Sequence, residues 1–200
     1  MAKKKTKPTL QEALTRSTER LVIRALEPSD FEVWRDAFRT FDPPKNEWDA
    51  GGMDEREISR REFDQLLREQ TRHRHRDSDY HFGIFLKKSG RFIGATALMG
   101  VARGVFQNAF LGYWIGNIHW GRGYAQEATR ATIEMGFRDL RLHRVEAGIA
   151  LKNKNSIKLA KAIGMRREGL SRNRVYLNEA WQTLTLYALT TEDQGFAFEP

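Results

Sequence analysis

The order of periodicities along this chain predicts a mixed α/β domain, with helices packed against one sheet. Three observations carry that expectation. Runs rich in branched and aromatic residues alternate with runs of helical period, in the order strand, helices, strands, helix, strand, helix, strands. The 200 residues are 40% hydrophobic and 11% aromatic, enough apolar material for one sizeable core. No internal repeat or second domain is visible, so we expect one domain over residues 18–195 behind a disordered basic tail over 1–17.

That tail holds four lysines, Lys3, Lys4, Lys5 and Lys7, and the chain as a whole carries a net charge of +8. A basic balance suits polyanions such as RNA, a ribosome or a phosphorylated cofactor, but does not choose among them. Cysteine is absent, which excludes disulfides, thiolate metal sites and a cysteine nucleophile. No apolar run has the length of a signal peptide or membrane span, so no membrane partner and a cytoplasmic location are expected.

The first element after the tail is a strand at Leu21 to Leu26. Ser29 and Glu32 then have capping-box spacing for a helix whose apolar stripe is Phe31, Trp34, Phe38 and Phe41. Asp42 to Asp64 is broken by Pro43-Pro44 and Gly51-Gly52, carries eight acids against four bases, and leads into a helix with Ile58, Phe63, Leu66 and Leu67. The run Arg72-His73-Arg74-His75-Arg76 has a histidine pair at a spacing that could in principle bind a metal, but no thiolate is near it in sequence. A solvated basic loop is the expectation, with no metal.

Tyr80 to Leu86 and Arg91 to Met99 read as antiparallel strands joined by Lys87-Lys88-Ser89-Gly90, and Phe110 to Ile115 as a further strand. From Gln126 to Arg141 the polar positions Glu127, Arg130, Glu134, Arg138 and Arg141 form a stripe on an otherwise apolar helix. A strand over Val145, Ala147, Ile149 and Leu151 follows. Asn153 to Ser156 then offers several N-caps for a short helix that Gly164 ends. Strands near Met165 to Ser171 and Gln182 to Leu189 flank a turn at Asn178-Glu179.

Between the strand ending at Ile115-Gly116 and the helix after Ala125 lies Trp120-Gly121-Arg122-Gly123-Tyr124-Ala125. A glycine-bearing turn at a helix N-terminus gathers free backbone amides where the helix dipole favours an anion, which suits phosphate. The same glycines also serve a purely steric turn. No Gly-Lys-Ser/Thr follows, and no third glycine completes a dinucleotide fingerprint, so both of those nucleotide readings fall away.

What remains resembles the GNAT acyl-CoA N-acyltransferases, whose motif Gln/Arg-x-x-Gly-x-Gly/Ala aligns with Trp120, Gly123 and Ala125. Trp120 departs from that motif, yet Trp120 to Ala128 is similar to the branch of ribosomal-protein alanine N-acetyltransferases. The resemblance extends over Thr18 to Arg24, Leu111 to Gly116, His143 to Ala147, and Asn153 to Ser156 with Gly164-Met165. It implies a mixed sheet splayed at its centre, with acetyl-CoA as co-substrate. Its pantetheine arm would run along the backbone of Trp114, Ile115 and Gly116. Its pyrophosphate would sit on Gly121, Arg122, Gly123, Tyr124 and Ala125.

The resemblance also places Asn153 near the cofactor and Ser156 near its sulfur, as proton donor; a helix N-cap is the equal alternative for Ser156. No carboxylate occurs from Phe110 to Ile115, and Val175 stands where some relatives carry an acid, so the general base is unassigned. Glu146 has the alternative role of pairing with an arginine. An α-amine titrates near pH ~7.7 to 8.0 and a lysine amine near pH ~10.4. A missing base therefore favours a protein N-terminus as acceptor, such as that of a ribosomal protein. A small amine, or a non-catalytic protein that binds CoA or RNA, are the alternatives.

Overall fold

The computed structural model describes residues 14–49, 51–177, 179–195 and 198. Residues 1–13 of the expected tail lie outside these. Leu14 is buried, and β1 (Arg16–Ser17) pairs antiparallel with β2 (Leu21–Arg24), so the folded chain starts upstream of residue 18.

Beyond β2 a 3-10 turn over Pro28–Asp30 leads into α1 (Phe31–Thr40). The capping expected of Ser29 and Glu32 falls elsewhere: the Asp30 carboxylate accepts from the Glu27 N–H at 2.8 Å and from Arg24 at 2.6 and 2.7 Å, while Glu32 pairs with Arg35. Ser59 caps α2 (Arg60–His75), its side chain accepting from the Glu62 N–H. The basic run expected as a loop forms the last turns of this helix. Positive side chains there complement the negative end of the helix dipole. His73 Nδ1 is paired with Asp79 at 2.8 Å, and no group of three or more His, Cys, Asp or Glu among the described residues is arranged to hold a metal.

β3 (Tyr80–Leu86), β4 (Phe92–Ala102) and β5 (Asn108–Ile115) form an antiparallel meander. The helix after the glycine turn, α3 (Tyr124–Arg138), begins two residues earlier than the polar stripe suggests, and Arg141 lies beyond it at φ 52°. β6 (Arg144–Ala150), α4 (Lys154–Ala162), β7 (Arg166–Leu177) and β8 (Ala180–Thr190) follow, with a 3-10 turn over Glu192–Gln194 after them. The eight strands order as β1-β2-β3-β4-β5-β6-β8-β7. Among the described residues no helix is long and apolar enough to cross a membrane.

Strand alternation divides the core between the two faces of the sheet. Leu21, Ile23, Ile93 and Leu111 pack with α3 and α4, whereas Val22, Phe92 and Trp114 pack with Phe31, Trp34, Phe38 and Phe41 of the α1 region and Phe63 of α2. The site follows from one junction. β5 and β6 are parallel and pair only from Asn108↔Arg144 to Phe110↔Glu146. Past Phe110, β5 keeps its partner β4 as far as Ile115, and β6 keeps β8 as far as Ala150, so the sheet opens into a wedge. This is the expected central splay.

Candidate active site

The open edge of β5 forms one wall of the wedge. Gly116 N–H donates to Ile93 O at 2.9 Å. Backbone groups alternate sides in an antiparallel pair, so those of Gly116 and Trp114 face β4, while those of Tyr113 and Ile115 face the wedge. Of the three residues expected to offer backbone to a pantetheine arm, this register leaves Ile115 and brings in Tyr113. The Trp120 indole N–H donates to Ile115 O at 2.7 Å, tying the following turn back onto the strand. That bond accounts for a tryptophan where the general motif has Gln or Arg. Gly116 has a packing reason of its own: a Cβ there would lie 2.1 Å from the Phe41 ring.

The turn closes the wedge from below. Gly121 and Gly123 adopt φ 73° and 79°, left-handed values that suit glycine, and Gly123 is the N-cap of α3. The Glu127 N–H returns to Gly123 O at 3.1 Å, so the amides of Tyr124, Ala125 and Gln126 precede the helical ladder and have no partner within it. A Cβ on Gly121 would meet nothing within 4 Å, leaving the outside of the turn open. The Arg122 carbonyl accepts from Arg20 Nη1 at 2.9 Å, and Arg20 Nε pairs with Glu127 at 2.7 Å. With the Thr18 hydroxyl donating to Glu127 at 2.6 Å, Thr18 and Arg20 clamp the β1–β2 turn to the first turn of α3. The sequence reading carried both residues in a matched stretch without assigning them this part.

The opposite wall is the start of α4. Asn153 is its N-cap, the side chain accepting from the Ser156 N–H at 3.1 Å. Ser156 is therefore not the cap, and its hydroxyl is left for other work. It lies 2.8 Å from the Tyr113 hydroxyl, which donates to it across the wedge. Burial pushes the Tyr113 phenol up from its ordinary value against the opposing effect of the Ser156 bond, so it keeps its proton at neutral pH. Tyr113 is a residue that sequence reasoning missed.

These walls bound a cavity of about 770 Å³. Trp114, Ile115, Gly121, Gly123, Tyr124, Ala125, Asn153 and Ser156 all line it; Gly116 and Arg122 do not. No Asp or Glu is among the lining residues, whereas Lys152, Lys154 and Lys158 are. His119 also lines the cavity, is 6% exposed, and has no hydrogen-bond partner on either ring nitrogen. Burial, with Arg91 and Arg122 nearby, pushes its pKa down and leaves it neutral. Glu146 is held by Arg144 at 2.8 Å and Asn108 at 3.0 Å, away from the cavity, which favours its structural role.

The remaining wall comes from the acid-rich segment. Asn46 and Trp48 line the cavity, and the loop carrying them is held by Asn117. The Asn117 amide donates to Asp42 O at 2.8 Å and Asp49 Oδ2 at 2.9 Å, and its oxygen accepts from the Asp42 N–H at 2.9 Å. The arrangement is an acid-free cleft lined by the first amides of α3, by three lysines and by two linked hydroxyls. It fits an elongated anion carrying a reactive group at its tip.

Comparison with known proteins agrees with this geometry. A family model described as an acetyltransferase (GNAT) domain matches residues 20–166. A probable N-acetyltransferase of Bacillus subtilis, YjcK, is 36% identical over 118 residues, 59% of this chain and 65% of that protein. The alanine N-acetyltransferase of ribosomal protein uS5 from Escherichia coli is 34% identical over 116 residues, 58% of this chain and 60% of that protein. The chain thus spans under two thirds of these relatives' length. RimJ of Mycobacterium smegmatis, solved in complex with CoA-disulfide, superposes with TM-score 0.74 at 23% identity, covering 88% of this chain and 85% of that one.

Proposed function

Because the chain belongs to the GNAT acetyltransferase family, we propose that it transfers acetyl from acetyl-CoA to an amine, and that the amine is the N-terminal α-amine of a protein. The observation that carries this reading is the acid-free cleft running from the αL glycines of the α3 turn to the Tyr113–Ser156 pair. The residues present suit the donor. The amides of Tyr124, Ala125 and Gln126 would take the pyrophosphate at the positive end of α3. The backbone of Tyr113 and the N–H of Ile115 would pair with the pantetheine amides, the Ile115 carbonyl already accepting from Trp120. Acetyl-CoA, when bound, supplies the acetyl thioester.

The chain's own contribution is then orientation and one proton. As the C–N bond forms and the C–S bond breaks, the Ser156 hydroxyl hands its proton to the departing sulfur, and the proton released by the amine passes through solvent to restore the hydroxyl. Because the Ser156 oxygen accepts from Tyr113, its own O–H is free to point into the cleft. The cleft lining has no carboxylate to strip a lysine ammonium, whose pKa is near ~10.4, whereas an α-amine near ~7.7 to 8.0 is partly free already. The uS5-alanine relative acts on such an amine, which supports the same acceptor class here.

Incubation with labelled acetyl-CoA tests the reading. Label should appear on peptides with free N-terminal alanine or serine and not on their N-blocked, lysine-containing counterparts. Label confined to small polyamines would overturn the acceptor class.

A further inference from the structure

The β7–β8 hairpin carries an exposed aromatic and basic surface outside the cleft lining. β6 pairs with β8 only as far as Ala150↔Leu184, whereas β7 and β8 stay paired to Leu177↔Ala180. The hairpin therefore projects four residues beyond β6, roughly 13 Å, as a free two-stranded ribbon. Tyr176 and Trp181 stand opposite each other on it, both 61% exposed, with ring centroids 5.6 Å apart at 63°. Leu170 is opposite Thr185, four residues from Trp181, so it shares their face, and it is exposed as well. Grouped apolar exposure of this kind marks a contact surface. The charge beside it is one-sided. Arg167, Arg172 and Arg174 are exposed and have no ion-pair partner among the described residues. Glu168 is taken by Arg144 and Arg166, which leaves Glu179 as the one acid between Gly169 and Thr183.

We propose that this ribbon binds single-stranded RNA, with bases stacked on Tyr176 and Trp181 and phosphates held by Arg172 and Arg174. Rings tilted at 63° do not sandwich one flat base, but each offers an open face to a base of its own. A second copy of the chain suits the surface poorly. It would set these arginines against themselves, and β7 slips register between Arg167 and Gly169 and between Ser171 and Val175, with Asn173 at φ 47°. Such bulges turn an edge strand away from strand-to-strand pairing. A protein partner needs about 800 Å² of contact on each side. Two strands, roughly 10 Å across, fall short of that, whereas a nucleic-acid strand lies along them. The outer edge of β7 has no strand beyond it and Asn173 is exposed in the bulge, so hydrogen-bonding groups for ribose 2′-hydroxyls flank the rings.

Fluorescence anisotropy on the full chain, with a labelled mixed-sequence single-stranded RNA of about 12 nucleotides, tests the surface. At fixed salt Tyr176→Ala/Trp181→Ala should weaken binding by about 10-fold or more, while Tyr176→Phe/Trp181→Phe, which keeps two rings, should stay near the wild type. Arg172→Gln/Arg174→Gln should lower the slope of log K against log salt by about 1.4, at ~0.7 per phosphate contact. Thermal melting shows that each variant is folded, and CoA binding should not change, since none of the four side chains lines the cleft. A DNA strand of the same sequence should bind several-fold more weakly; equal binding overturns the choice of RNA. RNA affinity that is the same in the alanine variant as in the wild type, or absent from the wild type at low salt, overturns the ribbon as the site. Polyglutamate that binds as tightly as RNA and loses as much in the alanine variant makes the partner an acidic protein. A wild-type dimer in sedimentation that the alanine variant dissociates makes it a second copy, and either result overturns the proposal.

Discussion

At the scale of single residues, the proposed chemistry rests on two hydroxyls 2.8 Å apart. A serine is a poor acid alone, and burial weakens the Tyr113 phenol as an acid; the bond from Tyr113 polarises the Ser156 hydroxyl, the group proposed to face the sulfur. Ser156→Ala should therefore lower kcat by roughly 100-fold, within the range of one general acid, with CoA affinity unchanged. Tyr113→Phe removes only an oxygen and should cost about 10-fold in kcat. In the double variant the loss should not exceed that of Ser156→Ala, since Tyr113 acts through the serine. Multiplying losses in steady-state kinetics would show that the two act separately. His119 gives a pH signature of another kind. Its folded pKa is pushed below the ordinary value near ~6.5, so the unfolded chain binds the extra proton first. Its contribution is fully present above that value and is lost as pH falls through it toward the folded pKa. Thermal midpoints measured from pH 7.5 to 5 should thus fall less steeply in His119→Gln than in the wild type.

At the scale of elements, the glycine turn and α4 were readable because their signals are local. Two αL glycines before a helix, and an asparagine three residues ahead of Ser156, need only neighbours in sequence to do their work. Three glycines nonetheless differ once packing is known. In Gly121→Ala only the left-handed φ is at stake, about 1 kcal/mol, because nothing lies within 4 Å of the new methyl. Gly123→Ala adds a contact 3.3 Å from Arg20 Nη2 and distorts the amides of the turn, so CoA affinity should fall further than stability does. Gly116→Ala drives a methyl into the Phe41 ring and should cost the most in urea unfolding, on the order of 2–3 kcal/mol. An equal cost for all three would contradict the steric argument. The elements misread in sequence failed for equally local reasons. The basic run ending α2 lacks apolar residues, so no hydrophobic period marked it as helix, and Asp30 rather than Glu32 took the cap because Arg24 on β2 holds its carboxylate.

At the scale of the molecule, the site exists because β5 loses β6 after three residue pairs, a property of strand order that no local pattern encodes. The same holds for Tyr113 with Ser156, 43 residues apart, and for Asn117 with the Asp42–Asp49 loop, up to 75 residues apart. Fold class and the glycine turn before a helix could be read from segments; the pairing of walls could not. Asn117 lies where the two halves of the protein meet. It follows the end of β5, the proposed donor side, and its amide holds the loop that carries Asn46 and Trp48 into the cleft. It is 3% exposed, so Asn117→Ala strands the Asp42 N–H and carbonyl without a partner, at a cost of about 1–3 kcal/mol. The loop should loosen while the α3 turn, on the far side of Trp120, stays in place. In steady-state kinetics with a peptide acceptor, KM for the peptide should rise several-fold while CoA binding by calorimetry is unchanged. Were CoA affinity to fall and the peptide KM to stay constant, the loop would belong to the donor side and the division of the cleft into two walls would be wrong.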